Sequence, residues 1–163
     1  MIQVREATDG DLEAILAIYN DAVINTTAVF DLTPRDMEAQ RNWFSAKQSS
    51  KMPVLAAVQD GAVVGFASYG IYRPWAAYLY SVENSIYVAP EHRGEGIGTM
   101  LLAALLKRAE AENYHTMIAG IEATNTASVK LHARQGFTEA GLFREVGWKF
   151  DRWLDLVFLQ KML

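Results

Sequence analysis

The chain holds 163 residues, enough for one domain that buries roughly two-thirds of its unfolded surface, and its 51% hydrophobic and 21% charged content carries no low-complexity tract or repeat. A formal net charge of −4 with scattered basic residues argues against a nucleic-acid footprint, and the lack of Cys excludes disulfides, thiolate metal sites and thiol nucleophiles. The opening Met1 to Glu6 has no signal-peptide pattern and no apolar stretch reaches the roughly 20 residues of a membrane span, so a cytoplasmic protein is expected.

Ile2 to Arg5 reads as a first strand. Thr8 or Asp9 then caps a helix with Leu12, Ile15, Leu16 and Tyr19 at helical spacing, ending near Asn20 to Val23. After a loop from Asn25 to Phe30, Thr33-Pro34-Arg35-Asp36 supplies an N-cap, a first-turn Pro and an acidic residue for a helix to about Gln48, anchored by Trp43 and Phe44. Val54 to Gln59 and Val63 to Tyr69 flank Asp60-Gly61, a pair suited to a tight hairpin turn with positive φ.

A strand from Val82 to Val88 feeds a glycine loop that opens into a helix bearing Ile97, Met100, Leu101, Ala104, Leu105 and Ala109 on one face. Met117 to Glu122 follows as a strand and Thr126 to Gln135 as a short helix stopped by Gly136. Phe137 to Phe143 and Trp153 to Leu159 close the fold as a strand pair. Strand and helix patterns alternate throughout, which predicts a single α/β domain over residues 1–163 with a mixed central sheet flanked by helices.

The functional signal lies where the strand meets the loop. A helix N-terminus leaves its first N–H groups unpaired and carries partial positive charge, so the loop from Arg93 to Thr99 is built for a phosphate or pyrophosphate. No Lys follows Gly98, which removes a Walker loop, and Thr99 stands where a dinucleotide fingerprint needs Gly or Ala. A G-x-S-x-G nucleophile elbow is also absent. Direct transfer from a bound acyl donor survives these exclusions.

Arg93-x-x-Gly96-x-Gly98 resembles the pyrophosphate-binding signature of the GNAT family of N-acetyltransferases, which bind acetyl-CoA. Asn125-x-x-Ser128-x-x-Leu131-His132-x-x-x-Gly136-Phe137 resembles the second cofactor segment of the same family. Tyr80 to Val88 and Gly141 to Asp155 are similar to its phosphinothricin and methionine sulfoximine acetyltransferase branch. The resemblance covers nearly the whole chain. It implies a sheet whose central strands splay at the acetyl-CoA site, no metal, and a homodimer with acceptor sites near the subunit boundary.

Acetyl transfer to an amine needs a deprotonated amine, a polarised carbonyl and a proton for the leaving thiolate. Glu83, beside apolar Tyr80, Val82 and Ile86, is placed for a raised pKa, and the resemblance assigns it as general base, directly or through water. A solvated strand-end charge is the plainer role for such a residue. Carbonyl polarisation falls, by the same resemblance, to backbone N–H groups of Ile86, Tyr87 and Val88. The pyrophosphate falls to Arg93, Gly94, Glu95, Gly96, Ile97, Gly98 and Thr99.

Asn125 is a helix N-cap by residue type, and the resemblance adds contact with the cofactor arm for it and Ser128. His132 stands where many family members carry a proton-donating Tyr. An imidazole there could protonate the thiolate or help deprotonate the amine, and a structural role is the common one for a lone helix His. His92 and His115 are assigned no chemistry.

The aromatic segment Tyr69 to Tyr80 carries one cation. For an amino-acid acceptor, Arg73 would pair with the α-carboxylate while Phe30, Trp75 and Tyr78 wall the side chain; an aromatic dimer contact is the alternative. The sequence thus points to acetyl transfer onto a small amino-acid analogue such as methionine sulfoximine, methionine sulfone or phosphinothricin. A protein or peptide acceptor and a non-catalytic module binding a CoA ester are the other readings.

Overall fold

A computed structural model describes all 163 residues. The strands are β1 (Ile2–Glu6), β2 (Val54–Gln59), β3 (Ala62–Ile71), β4 (Ser81–Val88), β5 (Thr116–Glu122), β6 (Thr138–Lys149) and β7 (Arg152–Met162). They form one sheet in the order β1-β2-β3-β4-β5-β7-β6, in which β4 and β5 are the only parallel pair. The helices are α1 (Leu12–Asn25), α2 (Met37–Ser49), α3 (Ile97–Ala111) and α4 (Thr126–Arg134).

Alternation along the strands sends successive side chains to opposite faces, and each face has its own core. Phe66 joins α1 and α2 through Ile15, Ile18, Val23 and Phe44, whereas Ala67, Tyr69 and Val82 pack under α3. The helix α3 lies close on the sheet because β3 carries Gly65 at the crossing. A Cβ there would meet the Tyr87 carbonyl oxygen at 3.0 Å and the Ile97 side chain at 3.1 Å. Leu101, Leu102 and Leu105 of α3 are fully buried, each contributing about 1.5–3 kcal/mol of transfer free energy.

Several expected boundaries shift. Thr8 caps a short 3-10 turn, Asp9–Asp11, that runs straight into α1, and α1 continues past Val23 to Asn25. Asp36, not Thr33, caps α2, its carboxylate accepting from the Ala39 N–H at 2.8 Å. Thr33 and Pro34 stay outside the helix. Arg35 is tied to α1 instead, its N–H donating to Asn20 Oδ1 and its carbonyl accepting from Asn20 Nδ2, both at 2.8 Å, with its guanidinium 4.1 Å above the Tyr19 ring.

Met100 departs from the expected buried face of α3 and is 40% exposed; Leu102 and Leu106 take its place in the core. The hairpin turn at Asp60-Gly61 forms with positive φ at both residues, 50° and 84°. The closing pair is much longer than expected, since β6 and β7 meet at a two-residue tip, Phe150-Asp151, with φ of 53° and 54°. No Gly or Asn marks that tip.

Candidate active site

Strand β4 pairs with β5 only at Ser81↔Thr116, Val82↔Met117 and Glu83↔Ile118. Beyond Glu83 the two strands part: β4 stays with β3 as far as Val88↔Gly65, while β5 stays with β7 as far as Glu122↔Leu156. The β4 edge from Asn84 to Val88 is left without a strand partner on that side. A cleft of about 740 Å³ opens there, bounded by Ile86, Tyr87 and Val88, by the glycine loop and the start of α3, and by Asn125, Ser128 and His132 of the α4 segment.

The loop after β4 makes a 3-10 turn at Pro90–His92 and enters α3 through Gly94 and Gly96, whose φ values of 87° and 82° only glycine adopts without strain. A Cβ on either would stand in open space, so the backbone here faces outward with nothing packed on it. Gly96 caps α3 without a side-chain acceptor, and the first helical N–H groups are left for an anion. Arg93, Arg134 and Arg152 stand on the cleft wall. Unpaired donors, a positive rim and a long apolar strand edge suit a phosphorylated ligand with an extended arm.

Arg93 also meets Asp21 of α1 at 3.2 Å, and its Nε donates to the Val88 carbonyl at 3.3 Å, which bridges α1 to the loop. Glu95 lies outside the cleft wall and pairs with His92 at 3.4 Å. Ile97, Gly98 and Thr99 line it. Gly98 allows close packing with α4, because a Cβ on it would come within 2.6 Å of Leu131 Cδ1.

Glu83 points to the other face of the sheet. Its Oε2 lies 3.7 Å from the point where a Cβ on Gly120 would stand, and Gly120 borders a second cavity of about 360 Å³ together with Tyr19, Phe30, Asp31, Tyr87, Glu122 and Leu156. Burial pushes the Glu83 carboxyl up, and the nearby positive Arg73 opposes that rise. Tyr87 and Ala28 line both cavities, so the two spaces meet at β4 and the loop after α1.

His132 is 3% exposed on α4. Its Nδ1 lies 2.8 Å from the Ser128 carbonyl oxygen and its Nε2 lies 3.1 Å from Asn84 Oδ1, with the Phe137 ring packed edge-on at 5.0 Å. Burial pushes its pKa down, partly offset by the Ser128 carbonyl. Asn125 caps α4, its Oδ1 accepting from the Ser128 N–H at 3.2 Å.

The expected acceptor residues are divided. Phe30 borders the second cavity and Arg73 is within electrostatic reach of Glu83, with its guanidinium 4.1 Å over the Tyr72 ring and donating to the Tyr72 carbonyl at 2.7 Å. Trp75, 67% exposed, and Tyr78, 39% exposed, lie outside both cavities and stack near one another at 6.4 Å. The 3-10 turn Ala76–Tyr78 carries them outward, so the chain alone does not close an aromatic wall from them. Sequence reasoning passed over Thr26, Thr27, Phe150 and Arg152 on the cleft and Asp31, Glu122 and Leu156 on the smaller cavity. These come from distant segments, with no local motif to mark them.

An open mixed sheet with one splayed parallel pair and an anion-binding helix start in the wedge is the architecture of an acyltransferase that takes a phosphorylated acyl donor. The model of the Acetyltransferase (GNAT) family matches residues 13–137, and the chain belongs to that family. It is an acetyl-CoA-dependent N-acetyltransferase.

A relative from Pseudomonas paraeruginosa, named L-methionine sulfoximine/L-methionine sulfone acetyltransferase, is 48% identical, with 96% of this chain and 92% of that protein aligned. The crystal structure of a GNAT superfamily phosphinothricin acetyltransferase from Sinorhizobium meliloti in complex with acetyl-CoA has a TM-score of 0.97 at 37% identity, covering 99% and 88% of the two chains. A Brucella melitensis structure named ribosomal-protein-alanine N-acetyltransferase has a TM-score of 0.97 at 50% identity, covering 99% of each chain.

Proposed function

We propose that the acceptor is the free amine of a small amino-acid analogue of the methionine sulfoximine, methionine sulfone or phosphinothricin type, bound in the 360 Å³ cavity. The observation that carries this reading is the meeting of the two cavities at Tyr87, with the Glu83 carboxyl beside Gly120. Asp31 and Glu122 make the cavity acidic and attract an ammonium group.

Acetyl-CoA supplies the acetyl group as an activated thioester. Glu83, its pKa raised by burial, takes the proton from the acceptor ammonium, directly or through water. Arg73 receives the acceptor carboxylate, and Phe30 packs on its side chain. Backbone N–H groups of Ile86 to Val88 on the unpaired β4 edge hold the carbonyl oxygen. The glycine loop from Gly94 to Thr99, with Arg93, holds the pyrophosphate, and Asn125 and Ser128 flank the cofactor arm. His132 exchanges a proton in the cleft, as donor to the sulfur or as acceptor from the amine.

The exposed aromatic surfaces support a homodimer: Trp75, Tyr78, Leu79 and Tyr80 on one segment, Phe143, Trp148 and Trp153 on the terminal hairpin. The same reading puts the enzyme in the cytoplasm, where a CoA thioester is supplied. Free-thiol release from acetyl-CoA, with each sulfur or phosphorus amino-acid analogue offered separately, tests the acceptor. Release driven by an alanine-terminated or lysine peptide, with none from the amino acids, would replace it with a protein acceptor, the activity in the name of the Brucella structure.

A further inference from the structure

The Ser128 carbonyl can only accept a hydrogen bond, and at 2.8 Å it is a much closer partner of His132 Nδ1 than the Ser128 hydroxyl at 3.5 Å, so that nitrogen carries the ring's first proton. All proton exchange is therefore left to Nε2. That atom faces the Asn84 carboxamide at 3.1 Å, and with Asn84 8% and His132 3% exposed, bulk water does not substitute for the contact.

A carboxamide can serve both forms of the ring. With Oδ1 toward the ring, Asn84 accepts from a protonated Nε2, and its own Nδ2 is then a buried donor with no partner. With the amide turned over, Nδ2 donates to a bare Nε2 and the oxygen becomes the unpaired atom. An unpaired buried polar atom costs about 1–3 kcal/mol in either state, so the amide has no strong internal reason to prefer one. The protonation state of the ring decides.

Asn84 is the first residue of β4 past its last pair with β5, Glu83↔Ile118. No ion pair reaches the ring. Lys130 and Arg134 are exposed on α4, Lys161 of β7 donates to the Gln135 carbonyl at 2.7 Å, and Glu83 points from β4 to the opposite face. Burial and the Ser128 carbonyl are the influences left on the imidazole.

We infer that Asn84 is the positioning residue of His132: its carboxamide holds Nε2 and turns over as that nitrogen gains or loses a proton. The chemical use of this pair rests on His132 serving the leaving thiolate, whereas the pair itself rests on the geometry alone.

The test is an NMR titration of the His132 ring nitrogens in ligand-free protein, from about pH 5 to about pH 9, with His92 and His115 as internal references. At neutral pH the wild-type ring should carry its proton on Nδ1, with Nε2 bare. Asn84→Asp should raise the His132 midpoint by about one unit or more by facing Nε2 with an anion, and Asn84→Leu should lower it. A proton on Nε2 in the neutral wild-type ring, or equal midpoints in the two variants, would overturn the proposal. If neither variant folds, the wild-type tautomer decides. A midpoint that moves in Asn84→Asp while the acid limb of kcat stays fixed supports the pair and removes His132 from the thiolate.

Discussion

Glu83 Oε2 and Gly120 lie against each other across the β4–β5 junction, the carboxyl oxygen 3.7 Å from where a Cβ on Gly120 would stand. The added methyl of Gly120→Ala would also meet Phe158 at 3.4 Å and Leu156 at 3.7 Å, all ordinary contacts, so the fold should lose no more than about 1 kcal/mol. The methyl would displace water from the carboxyl. Desolvation disfavours the charged form, so the pKa of Glu83 should rise further and the acid limb of kcat/KM should move to higher pH by a few tenths of a unit. An unmoved limb in an active variant would mean that Glu83 is not the group whose ionisation limits the rate.

Glu83→Gln removes the proposed proton acceptor without touching the larger cleft, because Glu83 is not on its wall. Turnover should fall by about 10²- to 10⁴-fold while acetyl-CoA affinity, measured by calorimetry, stays within about twofold. Equal loss of affinity would place the carboxylate in cofactor binding instead.

Arg73→Met separates two effects of one guanidinium. Loss of the partner for an acceptor carboxylate should raise the acceptor KM by about tenfold or more. The positive charge of Arg73 also holds the Glu83 pKa down against burial. Its removal lets that pKa rise, so more of Glu83 is protonated at a given pH and the acid limb moves upward. A raised KM with a fixed limb would confine Arg73 to substrate binding.

The order of strands and helices was legible because apolar periodicity, the Asp60-Gly61 turn and the glycine loop all act locally. Thr33 carries the local N-cap pattern for α2, but the signal that wins is tertiary: Asn20 holds Arg35 from α1, and Asp36 is the first residue free to cap. The length of β6 and β7 was hidden for a related reason. Phe150 and Asp151 adopt a left-handed turn without the Gly or Asn that normally signals one, and a bulge at Phe143 to Gly147, where the Glu145 N–H donates to Asp155 Oδ1 at 2.8 Å, breaks the alternation. The cofactor side of the site is one strand–loop–helix run and could be read in order. The smaller cavity joins Tyr19, Asp31, Gly120 and Leu156 from four segments, and no spacing rule connects them.

Gly98→Ala probes the wall between α3 and α4. The new methyl would stand 2.6 Å from Leu131 Cδ1, so the end of that side chain must move, and Leu131 lines the cleft. A flexible side-chain end yields at low cost, which predicts a stability loss at the low end of the 1–3 kcal/mol typical of overpacking. Binding should suffer more than folding. Acetyl-CoA KM should rise about tenfold with little change in kcat, and an unchanged KM would mean that Leu131 shifts away from the bound cofactor.

The entry to α1 carries a pH-dependent part of the fold's stability. Asp11 receives Arg5 through both carboxylate oxygens at 2.7 and 3.0 Å and accepts from the Thr8 N–H at 2.7 Å, which holds its pKa at about 2, below the usual 3.8. A folded-state pKa below the unfolded value means that the charged form stabilises the native state. That contribution is fully present above the unfolded pKa and is lost as pH falls from there toward 2. Asp11→Ala should therefore cost about 1 kcal/mol near neutral pH through the lost capping interactions. The difference from wild type in urea unfolding should shrink steadily as the acid range is entered, and a gap that stays constant down to about pH 2.5 would show that packing, not the charged cap, accounts for the loss.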